Sequence, residues 1–202
     1  NFYETLTAAK VGKISQTAYK QWDDRLYREY LNRFQLPADK EIKTFSKGMK
    51  MKLCIAVALS HKPKLLILDE ATNGLDPVMR DDILDVFLEF VQDEEHSILI
   101  SSHITTDLEK VADSITFIHQ GKVLFCKAKD ELLYQYGIIR CGAAAFDEIE
   151  KSEILAYRKE DYQRNVLVAD KEKARRRYKN VVVDDAAIDD ILLLYVKGER
   201  TK

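Results

Sequence analysis

The chain has 202 residues, 46% hydrophobic and 33% charged, with a formal net charge of −2 and a pI near 6.2. This composition is typical of a folded globular protein, and it excludes a disordered chain and a strongly basic nucleic-acid-binding protein. No apolar run is long enough to span a bilayer, so a role at a membrane needs a partner protein. The three cysteines have no CxxC spacing and predict neither a disulfide framework nor a zinc site.

The first third of the chain predicts helices. Trp22, Leu26 and Tyr30 recur at four-residue spacing, which indicates one amphipathic helix over about 16–34. A polar loop follows, and a second helix is predicted over about 49–61.

Strands and helices then alternate. Residues 65–68 are apolar at every position, which is typical of a parallel strand buried between helix layers. The later predictions are helices over about 78–93 and 105–112, and strands at about 97–101, 115–118 and 123–125. This alternation predicts an α/β fold with a parallel sheet. After about residue 127 the pattern changes to β-α-β-β-α-β-α, which predicts a small α+β domain.

Two carboxylates follow the apolar strand directly. Asp69 and Glu70 lie at its carboxyl end, where parallel sheets bind their ligands. Because side chains alternate along a strand, one acid can face Mg²⁺ while the other faces a water molecule. The simpler alternative is a strand that ends in a solvated acidic turn. A turn follows at 73–76, in which Gly74 permits a positive φ and Pro77 opens the next helix. This turn favours the interpretation that the two acids bind a metal and a water molecule.

Two more segments could contact phosphate. Ser46, Lys47, Gly48 and Met49 stand directly before a helix, and helix N-termini attract anions. The alternative is an ordinary N-cap by Ser46. His103 follows the strand at 97–101 and would lie beside the acids if the two strands are neighbours; a lone histidine there is more often structural.

In this order, the segments resemble the ABC ATPase family. Residues 45–49 resemble its signature motif, and residues 65–70 resemble its Walker B strand. Residues 73–76 resemble its D-loop, and His103 resembles its switch histidine. The resemblance covers at least residues 16–126.

The resemblance implies roles for these residues. Asp69 would serve Mg²⁺, Glu70 would polarise the hydrolytic water, and His103 would contact the γ-phosphate of ATP. Ser46 and Gly48 would reach across a dimer to ATP held by the opposite subunit. The predicted nucleotide-binding residues are Ser46, Lys47, Gly48, Met49, Asn73, Gly74 and Asp76.

Three positions depart from the family pattern. Lys47 stands where a second glycine is usual, Met49 where a glutamine is usual, and Ala71 where a proline usually follows the Walker B glutamate. Within the family, the pattern resembles ATPases of ABC-2-type exporters, including antibiotic and bacitracin efflux systems.

The resemblance implies a partial P-loop NTPase (RecA-like) core with a helical subdomain and a small C-terminal α+β domain. The predicted segments are a helical subdomain at 1–61, a catalytic α/β half at 62–126 and a C-terminal extension at 127–202. The Walker A loop, G-x-x-x-x-G-K-[ST], is absent from the sequence. The Gly-Lys pair nearest the start of the chain is Gly12-Lys13, but Ile14 stands where the hydroxyl residue is required. We therefore expect an N-terminally truncated ATPase.

For the whole protein, the family implies ATP and Mg²⁺ as ligands, a transmembrane permease and a second ATPase subunit as partners, and no nucleic acid. It implies a peripheral position on the cytoplasmic face of the membrane and a role in export. One alternative is a non-hydrolysing regulatory subunit that donates the signature motif in trans. Another is a soluble ABC protein that acts on ribosomes, for which the basic stretch at 171–179 is the sole hint.

The 202 residues alone are expected to be marginally stable, inactive and weak in ATP binding. The strands at 65–68 and 98–100 lack the sheet neighbour that the Walker A strand supplies, and exposed apolar strands favour aggregation. A titration of the isolated chain with nucleotide measures this, and tight binding would contradict the expectation.

Overall fold

A computed structural model describes residues 2–200 of the chain. These residues form two compact units, one that runs up to Ile104 and one that begins at Thr105. The division into three segments expected from the sequence stays a prediction. Its first and last segments include residues that lie outside the described ones, namely Asn1, Thr201 and Lys202.

The first unit contains four α-helices, one short 3₁₀ helix (Ile42–Thr44) and two strands among its described residues. The helices are α1 (Ala8–Ala18), α2 (Asp24–Arg33), α3 (Lys47–Ser60) and α4 (Pro77–Phe90), and the strands are β1 (Leu65–Asp69) and β2 (Ser97–Ser101). The single helix predicted over 16–34 is wrong, because α1 ends and α2 begins within that span. The Asp23 carboxylate accepts a hydrogen bond from the Leu26 N–H at 3.0 Å, so it caps a new helix where the hydrophobic spacing alone indicates continuity.

Helices α2, α3 and α4 are joined by two ion pairs. The Arg33 guanidinium donates two hydrogen bonds to the Glu89 carboxylate, at 2.5 and 2.7 Å, and so links α2 to α4. The Lys52 side chain, which is nearly buried on α3, donates to Asp82 of α4 at 3.1 Å. A paired charge in such a position is far more favourable than an unpaired one. One pair therefore links α2 to α4, and the other links α3 to α4.

Strands β1 and β2 pair in parallel and, within residues 2–200, with no third strand. The prediction that β1 is buried on both faces is wrong for one of them. Leu65 and Ile67 of β1 are 53% and 68% exposed, and Leu99 of β2 is 62% exposed. Leu66 points to the opposite face and is buried. One face of the strand pair therefore packs inside the unit, whereas three large apolar side chains on the other face are exposed to solvent.

The second unit contains the remaining elements. They are α5 (Thr105–Val111), β3 (Ser114–His119), β4 (Lys122–Ala128), α6 (Lys129–Tyr134), β5 (Gly137–Cys141), α7 (Ala143–Asp147), β6 (Ile154–Lys159), β7 (Arg164–Val168), α8 (Lys171–Arg177), β8 (Val182–Asp185) and α9 (Ile188–Lys197). The order from β5 onward confirms the predicted β-α-β-β-α-β-α pattern.

Strands β5 to β8 form an antiparallel sheet in the order β6-β7-β5-β8, which bears out the α+β prediction. Alternate residues of the sheet enter two separate cores, as the two-residue period of a strand requires. Ile138 and Leu167 pack with the buried face of α9, whereas Ile139 and Val166 pack with Ala174 of α8. The sheet is therefore covered by helices on both faces.

The basic stretch on and after α8 is largely neutralised by ion pairs. The pairs are Lys171–Asp185, Lys173–Glu153, Arg175–Glu172, Arg175–Asp185, Arg177–Glu150 and Arg177–Glu153. Charges that are compensated within the unit leave little net field for a polyanion. Most basic side chains of α8 are thus paired within the unit.

Glu153 is the acidic centre of this network, with a side chain only 15% exposed. Lys173 and Arg177 donate to its Oε1, both at 2.8 Å, and the Tyr178 hydroxyl donates to its Oε2 at 2.8 Å. The hydrogen bond from Lys173, followed by the smaller contributions of Tyr178 and Arg177, lowers the pKa of Glu153 below 4.5.

We predict that this network makes the stability of the second unit depend on pH. A carboxyl whose folded pKa is depressed stabilises the fold above its unfolded pKa, about 4.3, and this contribution disappears as the pH falls through the folded value. The free energy of unfolding should therefore fall below about pH 4.3, and Glu153→Gln should flatten that decline. Denaturant unfolding from pH 6 to pH 2.5 measures it. Glu148→Gln, at an exposed neighbour, is the control, and an equal flattening by the control would contradict the prediction.

Candidate active site at the ends of two parallel strands

The site is built where β1 and β2 end side by side. Their register places Leu65 opposite Ser97 and Asp69 opposite Ser101, so the two carboxyl ends are level. The prediction that His103 lies beside the acids depended on these strands being neighbours, and that condition is confirmed.

Ser101 connects the two acids. Its hydroxyl donates a hydrogen bond to Asp69 Oδ1 at 2.5 Å, a short distance typical of a charge-assisted bond. The backbone N–H of Glu70 donates to both the Ser101 carbonyl and the Ser101 hydroxyl oxygen, each at 3.1 Å. No role for Ser101 followed from the sequence, because the pairing register of the two strands cannot be seen in it.

The backbone at Glu70 is in the left-handed region, with φ of 50°. That conformation costs a residue with a Cβ roughly 1–2 kcal/mol, so the surrounding contacts must hold it. The N–H of Glu70 is held by Ser101, and its carbonyl accepts from the Asn73 N–H at 3.1 Å. The change of direction at Glu70 ends the strand and gives its side chain a different partner from that of Asp69.

The Glu70 side chain meets His103. Glu70 Oε2 lies 2.5 Å from His103 Nδ1, and both side chains are accessible to solvent. An ionised carboxylate has no proton to donate, so the imidazole proton belongs on Nδ1 in this contact. The other ring nitrogen, Nε2, is then left for a further partner. This is an arrangement in which a carboxylate and an imidazole are held together at the mouth of a parallel strand pair.

The predicted turn at 73–76 follows the acids. Gly74 has φ of 71°, as its residue type suggested. The Asp76 carboxylate accepts from the Met79 N–H at 3.0 Å and caps α4, with Pro77 at the first helical position. Asn73 and Asp76 are exposed.

The residues before α3 lie next to this turn. The Ser46 hydroxyl accepts from the Met49 N–H at 3.1 Å, so the ordinary N-cap is present. A Cβ at Gly48 would collide with Met79 Sδ, and a Cβ at Gly74 would lie 2.6 Å from Lys47 Nζ. Alanine at either position would therefore require the neighbouring side chain, Met79 or Lys47, to move.

The predicted site residues thus form two groups. Asp69, Glu70 and His103 lie at the strand ends, and Ser46 to Met49 lie with the turn. In the part of the chain that the structure describes, no hydrogen bond or ion pair joins Ser46 or Lys47 to the acids or to His103.

The donor set suits one kind of metal. Among residues 2–200, no group of three or more His, Cys, Asp or Glu side chains could hold an ion by itself. Asp69 and the Ser101 hydroxyl offer hard oxygen atoms at an exposed position. These residues fit Mg²⁺, which commonly takes one or two protein carboxylates and completes its shell with phosphate and water.

Comparison with known proteins relates the first part of the chain to a known family. Residues 3–73 match a family model described as ABC transporter. The match includes the signature-like segment, Asp69 and Glu70, and it ends before Gly74 and His103.

Curated relatives are named as ATP-binding proteins of transport or of an ABC transporter. The chain is 31% identical to the ABC transporter ATP-binding protein YtrB of Bacillus subtilis over 135 residues, 67% of this chain and 46% of the relative. It is 47% identical to the lantibiotic transport ATP-binding protein SrtF of Streptococcus pyogenes over 89 residues, 44% of this chain and 38% of the relative. It is 46% identical to the bacitracin transport ATP-binding protein BcrA of Bacillus licheniformis over 40% of this chain and 26% of the relative. The chain spans less than half the length of these relatives.

Solved structures confirm the α/β fold of ABC ATPase subunits. One described as an ATP binding subunit of an ABC transporter superposes with a TM-score of 0.56 at 30% identity, covering 65% of this chain and 57% of that one. The ATP-binding cassette MJ0796, in a dimeric post-hydrolysis state bound to ADP and Pi, gives the same TM-score at 19% identity, covering 64% and 59%. No helix between residues 2 and 200 combines the length and apolarity needed to cross a membrane.

We predict that Gly74→Ala destabilises the first unit by about 1–2 kcal/mol, because alanine is strained at positive φ and its Cβ displaces Lys47. Gly121→Ala is a matched control, since Gly121 has φ of 73° and nothing lies within 4 Å of the position that a Cβ would take. It therefore isolates the strain of positive φ from the displacement of a neighbouring side chain. Gly142→Ala, at negative φ and also in open space, should have almost no effect. Chemical denaturation measures all three, and equal effects of Gly74→Ala and Gly142→Ala would contradict the prediction.

Proposed function

We propose that this chain is part of the ATP-binding and ATP-hydrolysing subunit of an ABC transporter, which couples hydrolysis at a subunit interface to transport across a membrane. The observation that carries the proposal is the contact of Glu70 with His103, beside Asp69, at the level ends of two parallel strands. Parallel sheets bind ligands at this end. The family match and the relatives named as transport ATP-binding proteins support the same activity.

Each residue at the strand ends has a distinct chemical task. Asp69 would hold Mg²⁺, which when bound supplies positive charge to the phosphate oxygens of ATP. Glu70 orients and polarises the attacking water through its carboxylate. The contact with His103 keeps that carboxylate in place, and His103 Nε2 is left to donate to the γ-phosphate when the ring carries a proton there.

The N-terminus of α3 acts on a second nucleotide. Its backbone N–H groups and the Ser46 hydroxyl form an anion-binding end of a 14-residue helix, and Lys47 adds a positive charge. We place this end, Ser46 to Met49, against ATP held by a second ATPase subunit, identical or different. Asn73, Gly74 and Asp76 lie next to it and would face the same interface. The dimeric state of the cassette MJ0796 supports this arrangement.

The partners follow from the proposed role. The subunit would bind a transmembrane permease at the cytoplasmic face of the membrane, and the permease would select the substrate. Export is the favoured direction, since two of the relatives are named for lantibiotic and bacitracin transport. A nucleic-acid partner is disfavoured because the basic stretch on α8 is paired within its own unit.

Substitution of Glu70 by glutamine tests the proposal on the intact protein. Glu70→Gln keeps the size of the side chain and removes the base, so hydrolysis should fall at least about 100-fold while ATP binding is retained. Phosphate release and nucleotide binding are measured side by side, with Glu94→Gln, at an exposed loop position, as the control.

Two results decide against hydrolysis at this site. A Glu70→Gln protein that keeps more than half of the wild-type rate would contradict the proposed role of Glu70. A wild-type protein that hydrolyses no ATP, but raises the rate of a partner ATPase in a way that Ser46→Ala abolishes, would favour the alternative subunit that only donates the signature segment.

A further inference from the structure

We propose that Ser101 is a positioning residue for both acids of the site, and that its hydroxyl determines which oxygen of Asp69 is free to bind the metal. This inference rests on the proposed function, because it concerns the metal that Asp69 would hold. It assigns a task to a residue that the sequence patterns left without one.

The Ser101 hydroxyl is used as donor and acceptor at once. Its proton goes to Asp69 Oδ1 at 2.5 Å, and its oxygen accepts the Glu70 N–H at 3.1 Å. A hydroxyl has one proton and two lone pairs, so the two bonds are compatible and a lone pair remains. One oxygen atom therefore links the side chain of the first acid to the backbone of the second.

The bond to Asp69 selects one carboxylate oxygen. Asp69 is exposed, so without a partner its carboxylate would rotate between several orientations. With Oδ1 engaged by Ser101, Oδ2 is the oxygen without that partner and is presented at the end of the strand. A hydrogen bond that orients a ligand in this way typically contributes a factor of about 10 to 100 to metal affinity.

The bond to the Glu70 N–H acts on the second acid. Glu70 is held at φ of 50°, and its contact with His103 depends on that backbone direction. The Ser101 carbonyl alone would hold the N–H with one acceptor, whereas the hydroxyl provides a second. Loss of the hydroxyl would therefore loosen both the metal acid and the water-activating acid.

Threonine and valine at position 101 form a matched pair for the test. Both are β-branched and suit a strand, and they differ by a hydroxyl in one and a methyl group in the other. Ser102→Ala is the control, because the Ser102 hydroxyl bonds the backbone of Ile104 and neither acid. Thermal unfolding of each variant distinguishes a loss of the fold from a change in the positions of Asp69 and Glu70.

The first measurement is Mn²⁺ binding to the intact protein, followed by electron paramagnetic resonance in the presence of a non-hydrolysable ATP analogue. Ser101→Val should weaken Mn²⁺ binding about tenfold, and Ser101→Thr should stay within about threefold of wild type. The second measurement needs neither metal nor nucleotide: hydrogen exchange of the Glu70 amide should be several-fold faster in Ser101→Val than in Ser101→Thr.

The outcomes separate the inference from the function on which it rests. If the valine and threonine variants bind Mn²⁺ equally and exchange the Glu70 amide equally, Ser101 positions neither acid and the inference is wrong. If wild-type protein binds no Mn²⁺ with the analogue, the proposed function fails together with the metal part of the inference. In that case, faster exchange of the Glu70 amide in Ser101→Val than in Ser101→Thr would still support the role of Ser101 in positioning Glu70.

Discussion

The parallel pairing of β1 with β2 is the constraint on which the site depends. It sets Asp69 directly beside Ser101, and from there the Glu70 backbone and the Glu70–His103 contact follow. A slip of one residue would turn Asp69 away from Ser101, because neighbouring residues of a strand point to opposite faces. Residues some thirty positions apart are therefore brought within hydrogen-bond distance by a ladder of backbone bonds, and the apolar residues of the strands serve mainly to fix its register.

The second group of residues is organised by close packing instead. A side chain at Gly48 would meet Met79 of α4, and a side chain at Gly74 would meet Lys47 of α3. Ion pairs also link Arg33 of α2 and Lys52 of α3 to α4. In the proposed function these glycines would also face a nucleotide at a subunit interface. Substitution there would therefore change packing within the unit as well as nucleotide binding.

The sequence predicted much of this molecule for identifiable reasons. The strand–helix alternation and the acidic strand end are local patterns, and both appear where they were expected. The predicted helix over 16–34 failed at Asp23, where a single side-chain cap outweighs a continuous hydrophobic stripe. The exposure of Ile67 could not be read from its own segment, because burial depends on what lies opposite the strand. The role of Ser101 depends on strand register, a long-range property that no local pattern contains.

The left-handed backbone at Glu70 has a consequence for how such a site can be lost. Glycine adopts this conformation without penalty, so a change from glutamate to glycine would remove the reactive carboxylate and relieve roughly 1 kcal/mol of strain in the same step. The strain at this position is therefore a local cost of keeping a carboxylate there, and stability of the backbone alone gives no reason to retain it.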